Sequence, residues 1–237
     1  EIGEAGFDFL DLTIEGPDAM NIDVVRVGEL INQYNLSVVG HTDPCLPYAY
    51  PSLGIRVACL NDLEKCAKIF SALNAKVMNI HPCYFFPPAM MNEIVELNTD
   101  ALKPIVEMAD SYGLKLAIEN FKEPFDSVST FKRLLEEVPG LYLHLDFGHA
   151  NMGSENGESF CKALGRHIAH VHFNDNRSTG DHHMPLGVGS VNWRNAVSAL
   201  KSTGYDDTIT LEIFCDDVTL KHRYLEISKE FVMSLWE

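Results

Sequence analysis

Short apolar runs alternate with longer amphipathic segments along the whole chain. The runs have the length of buried strands, and the segments between them repeat apolar positions at helical spacing. Several segments end in a helix-stop signal that leads directly into the next run, as in SYGLKLAIE and STGYDDTITLEI. This alternation predicts an α/β fold built of βαβ units around a parallel sheet. The predicted strands are Phe7–Ile14, Leu36–Gly40, Lys76–Ile80, Leu114–Ile118, Leu141–Leu145, Ile168–Val171 and Thr208–Ile213.

The helix-like segments have lengths that suit the connections of an α/β barrel. A closed barrel of this kind has eight strands, one more than the runs predict. The chain opens on EIGEAGFDFLDL, which reads as the end of a helix turning into a strand. We therefore expect a TIM (β/α)8-type barrel that lacks its first strand in this chain, with a naturally open seven-stranded barrel as the alternative. The predicted helices are Asp23–Tyr34, Ser52–Leu73, Met90–Tyr112, Ser127–Glu137, Ser159–Leu164, Trp193–Thr203 and Leu220–Leu235.

Acidic and histidine side chains stand at the carboxyl ends of six successive predicted strands. In a parallel barrel these ends open on one face, so the side chains would converge. Imidazole nitrogen and carboxylate oxygen are the ligands of catalytic zinc, and manganese accepts a similar mixture. The pattern predicts a divalent-metal enzyme. The alternative, in which each acid caps the following helix, would explain one such residue more easily than six.

Four of these residues form the central set of candidate ligands for one Zn²⁺ or Mn²⁺ ion. They are Glu119, Asp146, His172 and Glu212. Further ligand types surround this set and raise the total to nine, which is enough for two or three ions. They are His41, His81, His149, Asp181 and His183.

Other residues near the candidate ligands have less specific signals. His144 and His170 alternate with two of the ligands along their strands, and we expect them to lie in the core or to orient the ligands. Arg177 could clamp a phosphate or a hydroxyl-rich substrate, with a surface loop arginine as the alternative, and Lys122 has a similar claim. Cys83 and Cys215 could each supply a thiolate ligand. His182 could exchange roles with His183. Trp193 is predicted to pack at the start of a helix.

Composition narrows the class of partner. The formal net charge is −16, with 34 acidic and 18 basic residues, and such a surface disfavours nucleic acid, which clustered Lys and Arg bind. A small-molecule substrate is expected instead. No apolar run approaches the roughly 20 residues of a membrane helix, and the start has no signal-peptide pattern. The six cysteines form no CxxC pair. We expect a cytoplasmic protein with free thiols and no membrane association.

The motifs IENF, LDFGHA, HVHFND and GDHHMPLGVGSVNW resemble those of the xylose isomerase-like TIM-barrel superfamily. This group holds sugar phosphate isomerases and epimerases and the endonuclease IV family. The resemblance runs from GFDFLDL to TITLEIF, essentially the whole chain, and no Pro- or Gly-rich linker divides it. Residues 1–237 are therefore expected to form one barrel domain of this superfamily.

The resemblance implies a metal-dependent isomerase or epimerase that acts on a sugar or sugar phosphate. In the tagatose 3-epimerase-like members, Glu119 and Glu212 would also shuttle a proton at the carbon beside a carbonyl, and His149 and Arg177 would contact the substrate. The metal would polarise the carbonyl and hydroxyl pair. The oligomeric state is left open, with a homodimer as one option.

Endonuclease IV suggests an alternative function. Its pattern of three zinc ions matches all nine candidate ligands and implies a zinc phosphodiesterase that cuts abasic DNA. The acidic composition argues against this alternative, and so does the lack of basic loops to grip DNA.

Overall fold

The computed structural model describes residues 1–16 and 20–237. Within them, seven strands alternate with helices as the apolar pattern predicts. The strands are β1 (Phe9–Ile14), β2 (Ser37–Thr42), β3 (Val77–Ile80), β4 (Lys115–Glu119), β5 (Tyr142–Asp146), β6 (Ile168–Phe173) and β7 (Ile209–Leu211). The α-helices are α1 (Val24–Tyr34), α2 (Leu53–Ala72), α3 (Ile94–Ser111), α4 (Val128–Glu137), α5 (Phe147–Met152), α6 (Gly157–Leu164), α7 (Trp193–Ser202) and α8 (Val218–Trp236).

The chain divides into two compact units. The first consists of residues 1–118 and 133–142. Its strands pair in parallel and in chain order: Phe9 of β1 lies opposite Ser37 of β2, and Val77 of β3 lies opposite Lys115 of β4. Gly40 has no room for a side chain, because a Cβ there would meet the buried ring of Phe70. The strands are therefore packed closely against α2.

The second unit consists of residues 119–132 and 143–237. Strands β5, β6 and β7 pair in parallel and in chain order, with Asp146 opposite His172 and His172 opposite Thr210. Buried aromatic rings pack beside these strands: Phe173 lies 4.8 Å from Trp193 and 5.0 Å from Phe147 between ring centroids. Trp193 begins α7 and is buried, so its predicted packing role is confirmed.

The structure differs from the sequence prediction at two helices. The short helix α5 was not predicted; it begins directly after β5, where Asp146 caps it by accepting a hydrogen bond from His149 N at 2.6 Å. The segment predicted as one helix from Met90 begins instead as a 3₁₀ turn, Pro88–Glu93, and becomes α-helical at Ile94. Proline suits the first turn of a helix, since its missing N–H has no partner there in any case.

No helix of the described residues is both long and apolar enough to cross a membrane. All six cysteines lie within those residues and are free thiols, as their spacing predicts.

Candidate metal and catalytic site

The register of the second unit places three candidate ligands side by side. Asp146 ends β5 directly opposite His172 of β6. Glu212 follows β7, and its N–H donates to Phe173 O at 3.1 Å, which continues the pairing of β6 with β7. Parallel strands thus bring their carboxyl-terminal side chains to one edge, as the sequence predicts.

These residues form a tight polar cluster with Glu119, the last residue of β4. Glu119, Asp146 and His172 are buried, and one ligand atom of each lies within 4.8 Å of those of the other two. His172 Nδ1 is 3.1 Å from Glu212 Oε2 and 3.9 Å from Asp146 Oδ2. Two or three carboxylates beside one imidazole nitrogen match the donor set that zinc and manganese accept. The residues therefore fit a divalent ion.

Asp146 is fixed on both of its carboxylate oxygens. Oδ1 caps α5, whereas Oδ2 accepts a hydrogen bond from Asn174 Nδ2 at 2.8 Å. The helix-capping alternative thus holds for this residue, together with its place in the cluster. Gly148 leaves the space that Asn174 occupies, because a Cβ at 148 would collide with the Asn174 amide.

A second group of candidate ligands links the two glutamates. His149 Nδ1 lies 3.1 Å from Glu119 Oε1, and its Nε2 lies 3.2 Å from Asp181 Oδ2. Asp181 Oδ2 is also 3.1 Å from His183 Nε2, and His183 Nδ1 is 3.4 Å from Glu212 Oε2. Imidazoles and carboxylates therefore alternate from Glu119 to Glu212.

Two further histidines lie deeper in the second unit and are fully buried. His144 Nδ1 is 3.3 Å from Glu119 Oε2, and its ring packs edge-on against His172 at 4.1 Å between centroids. His170 is held through its ring nitrogens by the hydroxyls of Thr208 and Thr210, at 3.1 and 2.9 Å. Both contacts agree with the expectation that these residues belong to the core or orient the ligands.

Burial and mutual charge set the protonation of this cluster in the metal-free chain. Desolvation raises the pKa of Glu119 to about 7, although His149 acts against the shift. Desolvation also raises the pKa of Asp146. Burial alone would lower the pKa of His149, but Asp146, Asp181 and Glu119 outweigh it and hold that pKa well above its usual range. Hydrogen bonds from His149 and His183 outweigh desolvation at Asp181 and lower its pKa. The site is suited to holding positive charge.

His41 and His81 belong to the first unit and lie together there. His41 Nε2 is 3.4 Å from His81 Nδ1, and the two rings stack at 5.0 Å between centroids. The carbonyl of His81 accepts a hydrogen bond from Tyr48 Oη at 3.1 Å. The nine candidate ligands thus fall into a pair in the first unit and seven residues in the second.

The remaining candidates lie nearer to solvent or in the core. Arg177 and His182 are exposed on the loop after β6. Lys122 is exposed, with its ammonium 5.3 Å from the ring centroid of Phe121. Cys83 is buried, and Asn98 binds both its N–H and its carbonyl, whereas Cys215 is partly exposed.

Sequence reasoning missed the residues that hold the ligands. Asn120 and Asn174 bind Asp146, and Asp175 organises the loop that carries Asp181 and His183. Asn120 and Asn174 directly follow β4 and β6, and Asp175 comes one residue later. This position after a strand is their one sequence signal, and it does not separate them from ordinary turn residues.

The chain belongs to the xylose isomerase-like TIM-barrel family, whose model matches residues 1–233. The predicted fold class and superfamily are thereby confirmed. The single domain over residues 1–237 stays a prediction.

Individual relatives agree with this family. A Methanocaldococcus jannaschii protein is 32% identical over 98% of this chain and 85% of its own length. L-ribulose 3-epimerase of Methylomonas is 24% identical over 90% of this chain and 76% of its own length. The crystal structure of a D-tagatose 3-epimerase-like protein is 28% identical, covers 98% of this chain and 93% of its own, and superimposes with a TM-score of 0.82. Sugar isomerases and epimerases among the relatives, an inosose isomerase of Bacillus subtilis included, support an enzyme of that class.

Proposed function

We propose that this chain is a divalent-metal-dependent isomerase or epimerase of sugars or sugar phosphates. The observation that carries the proposal is the buried cluster of Glu119, Asp146 and His172, with Glu212 3.1 Å from His172. An ion held by these four residues would polarise a carbonyl and its neighbouring hydroxyl on the substrate. The epimerase relatives support the same assignment.

Glu119 and Glu212 are proposed to move the proton. One carboxylate removes the proton from the carbon beside the carbonyl, and the other returns a proton to that carbon from the opposite face. Both carboxylates are held in place by imidazoles: Glu119 Oε1 lies 3.1 Å from His149 Nδ1, and Glu212 Oε2 lies 3.1 Å from His172 Nδ1. Proton transfer by positioned carboxylates contributes about 10²–10⁴-fold to such rates.

His149 and Arg177 are proposed to contact the substrate. His149 is buried between Glu119 and Asp181, so its ring would form a fixed wall of the substrate site, and its Nε2 would donate to a substrate oxygen that takes the place of Asp181 Oδ2. Arg177 is exposed on the loop after β6, where its guanidinium could bind a phosphate or two hydroxyls by paired hydrogen bonds.

Proton exchange tests this proposal directly. The purified protein is loaded with Mn²⁺ or Zn²⁺ in D₂O and incubated with a panel of ketopentoses, ketohexoses and their phosphates, and deuterium at the substrate carbon is followed by NMR. We expect exchange with at least one sugar, reduced about 10²–10⁴-fold in Glu119→Gln and in Glu212→Gln. Glu226→Gln changes an exposed carboxylate on α8 and serves as the matched control. Wild-type exchange rates in both site variants would refute the roles of the two glutamates.

A zinc phosphodiesterase is the second candidate, and one observation favours it. His41 and His81 bring their ring nitrogens to 3.4 Å in the first unit, an arrangement suited to sharing a metal ion. The same metal-loaded protein is therefore assayed on DNA with one abasic site. Cleavage of that DNA, without deuterium exchange on any sugar, would replace the isomerase by the phosphodiesterase.

A further inference from the structure

The connection between β6 and α7 carries two of the candidate ligands. It spans residues 174–192, and Asp181 and His183 lie near its middle. We refer to residues 176–191 as the site loop. Residues 177–179 and 181–182 of this loop are exposed. Such a loop needs internal anchors to hold two ligands in place, because exposed loops without buried contacts open easily.

One buried carboxylate, that of Asp175, receives hydrogen bonds from both ends and the middle of the site loop. Its Oδ1 accepts from Asn176 N at 2.9 Å and from Val191 N at 3.1 Å. Its Oδ2 accepts from Gly187 N at 2.9 Å and from the indole N–H of Trp193, also at 2.9 Å. Asp175 is 0% exposed. Three backbone donors of the site loop and one indole donor at the start of α7 thus meet on the Asp175 side chain.

The backbone closes the site loop around the same point. Asp175 and Met184 exchange two backbone hydrogen bonds, of 3.0 and 2.8 Å, and Ser190 N donates to Asn176 O at 2.7 Å. Gly189 has no space for a Cβ, which would collide with Asn176 O and Asp175 Oδ1. The backbone at the two ends of the site loop therefore packs directly against the Asp175 carboxylate.

This closure fixes the candidate ligands. His183 directly precedes Met184, which is bound to Asp175, and it adopts a left-handed backbone with φ 45°. Non-glycine residues are held in that conformation only when their surroundings determine it. His183 in turn contacts Asp181, which contacts His149. The contacts lead without a break from Asp175 to the candidate metal site.

We propose that Asp175 is a positioning residue whose buried carboxylate closes the site loop and thereby places Asp181 and His183. The assignment of these two residues to a metal site rests on the proposed function; the closure of the loop does not. A carboxylate can accept from all four donors, whereas an amide of the same shape would turn an NH₂ group toward one pair of them. Hydrogen bonds to a charged group are the strongest in proteins, and an unsatisfied buried donor is costly.

Trypsin cleavage measures how often the site loop opens, because Arg177 is exposed and provides a tryptic site before Ser178. We expect trypsin to cut the 177–178 bond about 10-fold faster or more in Asp175→Asn than in the wild type, as the loop opens more often. Cleavage after Lys122, an exposed site outside the loop, is expected to stay unchanged. Equal acceleration at both bonds would indicate general destabilisation and refute the proposal, and so would an unchanged rate at 177–178.

Two glycines of the site loop provide a second test variant and its matched control. Gly189→Ala should open the loop as Asp175→Asn does, since its Cβ has no space. Gly180→Ala lies in the same loop, but its Cβ would meet only the ring of the exposed His182, at 3.3 Å, and should leave tryptic cleavage at the wild-type rate. Opening by Gly180→Ala but not by Gly189→Ala would contradict the closure described here.

Hydrogen exchange on the wild type keeps the proposal testable should the variants fail to fold. The amides of Gly187 and Val191 and the indole N–H of Trp193 should exchange at least about 10-fold more slowly than the amides of residues 179 to 182. Equal rates would refute the closure.

The positioning role is tested by the Mn²⁺ affinity of Asp175→Asn, where a loss of about 10-fold or more supports it. An open loop with unchanged affinity would refute that role while leaving loop closure intact.

Discussion

Asn120 and Asp146 hold each other through two hydrogen bonds. Asn120 Oδ1 accepts from Asp146 N at 2.7 Å, and Asn120 Nδ2 donates to Asp146 O at 2.9 Å. Both residues are fully buried. Because Asn120 follows Glu119 directly, its side-chain amide links the end of β4 to the end of β5. It thereby sets the spacing between the carboxylates of Glu119 and Asp146.

Replacing Asn120 should therefore weaken metal binding without touching a ligand. We expect Asn120→Ala to reduce Mn²⁺ affinity by about 10- to 100-fold, the usual effect of losing a group that orients ligands. Isothermal titration calorimetry measures this affinity. Asn156→Ala removes another asparagine of the same unit, the N-cap of α6. It should cost about 1 kcal/mol of folding stability and leave Mn²⁺ affinity unchanged. Equal affinities in the two variants would argue against the role given to Asn120.

The close approach of Gly148 to Asn174 predicts a position-specific loss of stability. A Cβ at Gly148 would collide with the Asn174 amide that binds Asp146. Gly148→Ala should lower the free energy of unfolding by about 1–3 kcal/mol through overpacking. Gly54→Ala is the control, because Gly54 lies in α2 with nothing within 4 Å of its Cβ. There alanine should be neutral or stabilising by up to about 1 kcal/mol. Urea unfolding of both variants decides the matter, and equal midpoints would contradict the steric argument.

The strands and the candidate ligands could be predicted from the sequence for a common physical reason. Each buried strand is a short apolar run, and a polar residue such as Glu119 or His172 at its end breaks the run visibly. Helix α5 left no such signal, since its six residues FGHANM are too few to show a helical period. Its start depends on the cap by Asp146, a contact that becomes evident only in three dimensions.

The residues that hold the ligands escaped prediction because their role depends on partners distant in sequence. Asn120 binds a residue 26 positions away, and Asn174 binds the same aspartate from 28 positions away. Asp175 directly precedes the site loop, but three of the four groups that donate hydrogen bonds to it lie 12 to 18 residues further on. An isolated Asn or Asp after a strand is common in turns, so sequence alone gave no reason to distinguish these residues.

The thiols are expected to differ strongly in reactivity. Cys45 is exposed, whereas burial raises the pKa of Cys66 and that of Cys161 to about 12. Only the thiolate reacts with iodoacetamide, so at pH 8 Cys45 should be alkylated at least about 100-fold faster than the two buried thiols. Peptide mapping by mass spectrometry follows each site, and full denaturation in urea should make all three react at similar rates. Rapid labelling of Cys161 in the native protein would contradict its burial.

Glu119 should make the metal-free protein less stable as the pH rises. Desolvation raises its pKa from 4.5 to about 7, so between these values the folded chain keeps a proton that the unfolded chain releases. Folding stability falls with pH wherever the folded state binds more protons. The contribution of Glu119 is therefore fully present below about pH 4.5 and is lost by about pH 7.

We expect Glu119→Gln, which cannot ionise, to gain about 1–3 kcal/mol of folding stability relative to the wild type between pH 5 and pH 8. Urea unfolding in EDTA at both pH values measures the difference, with Glu226→Gln as the control that should follow the wild type. Mn²⁺ binds the ionised carboxylate and should stabilise the wild type more at pH 8 than at pH 5. Parallel profiles of the wild type and Glu119→Gln would show that this carboxyl is not held neutral in the metal-free chain.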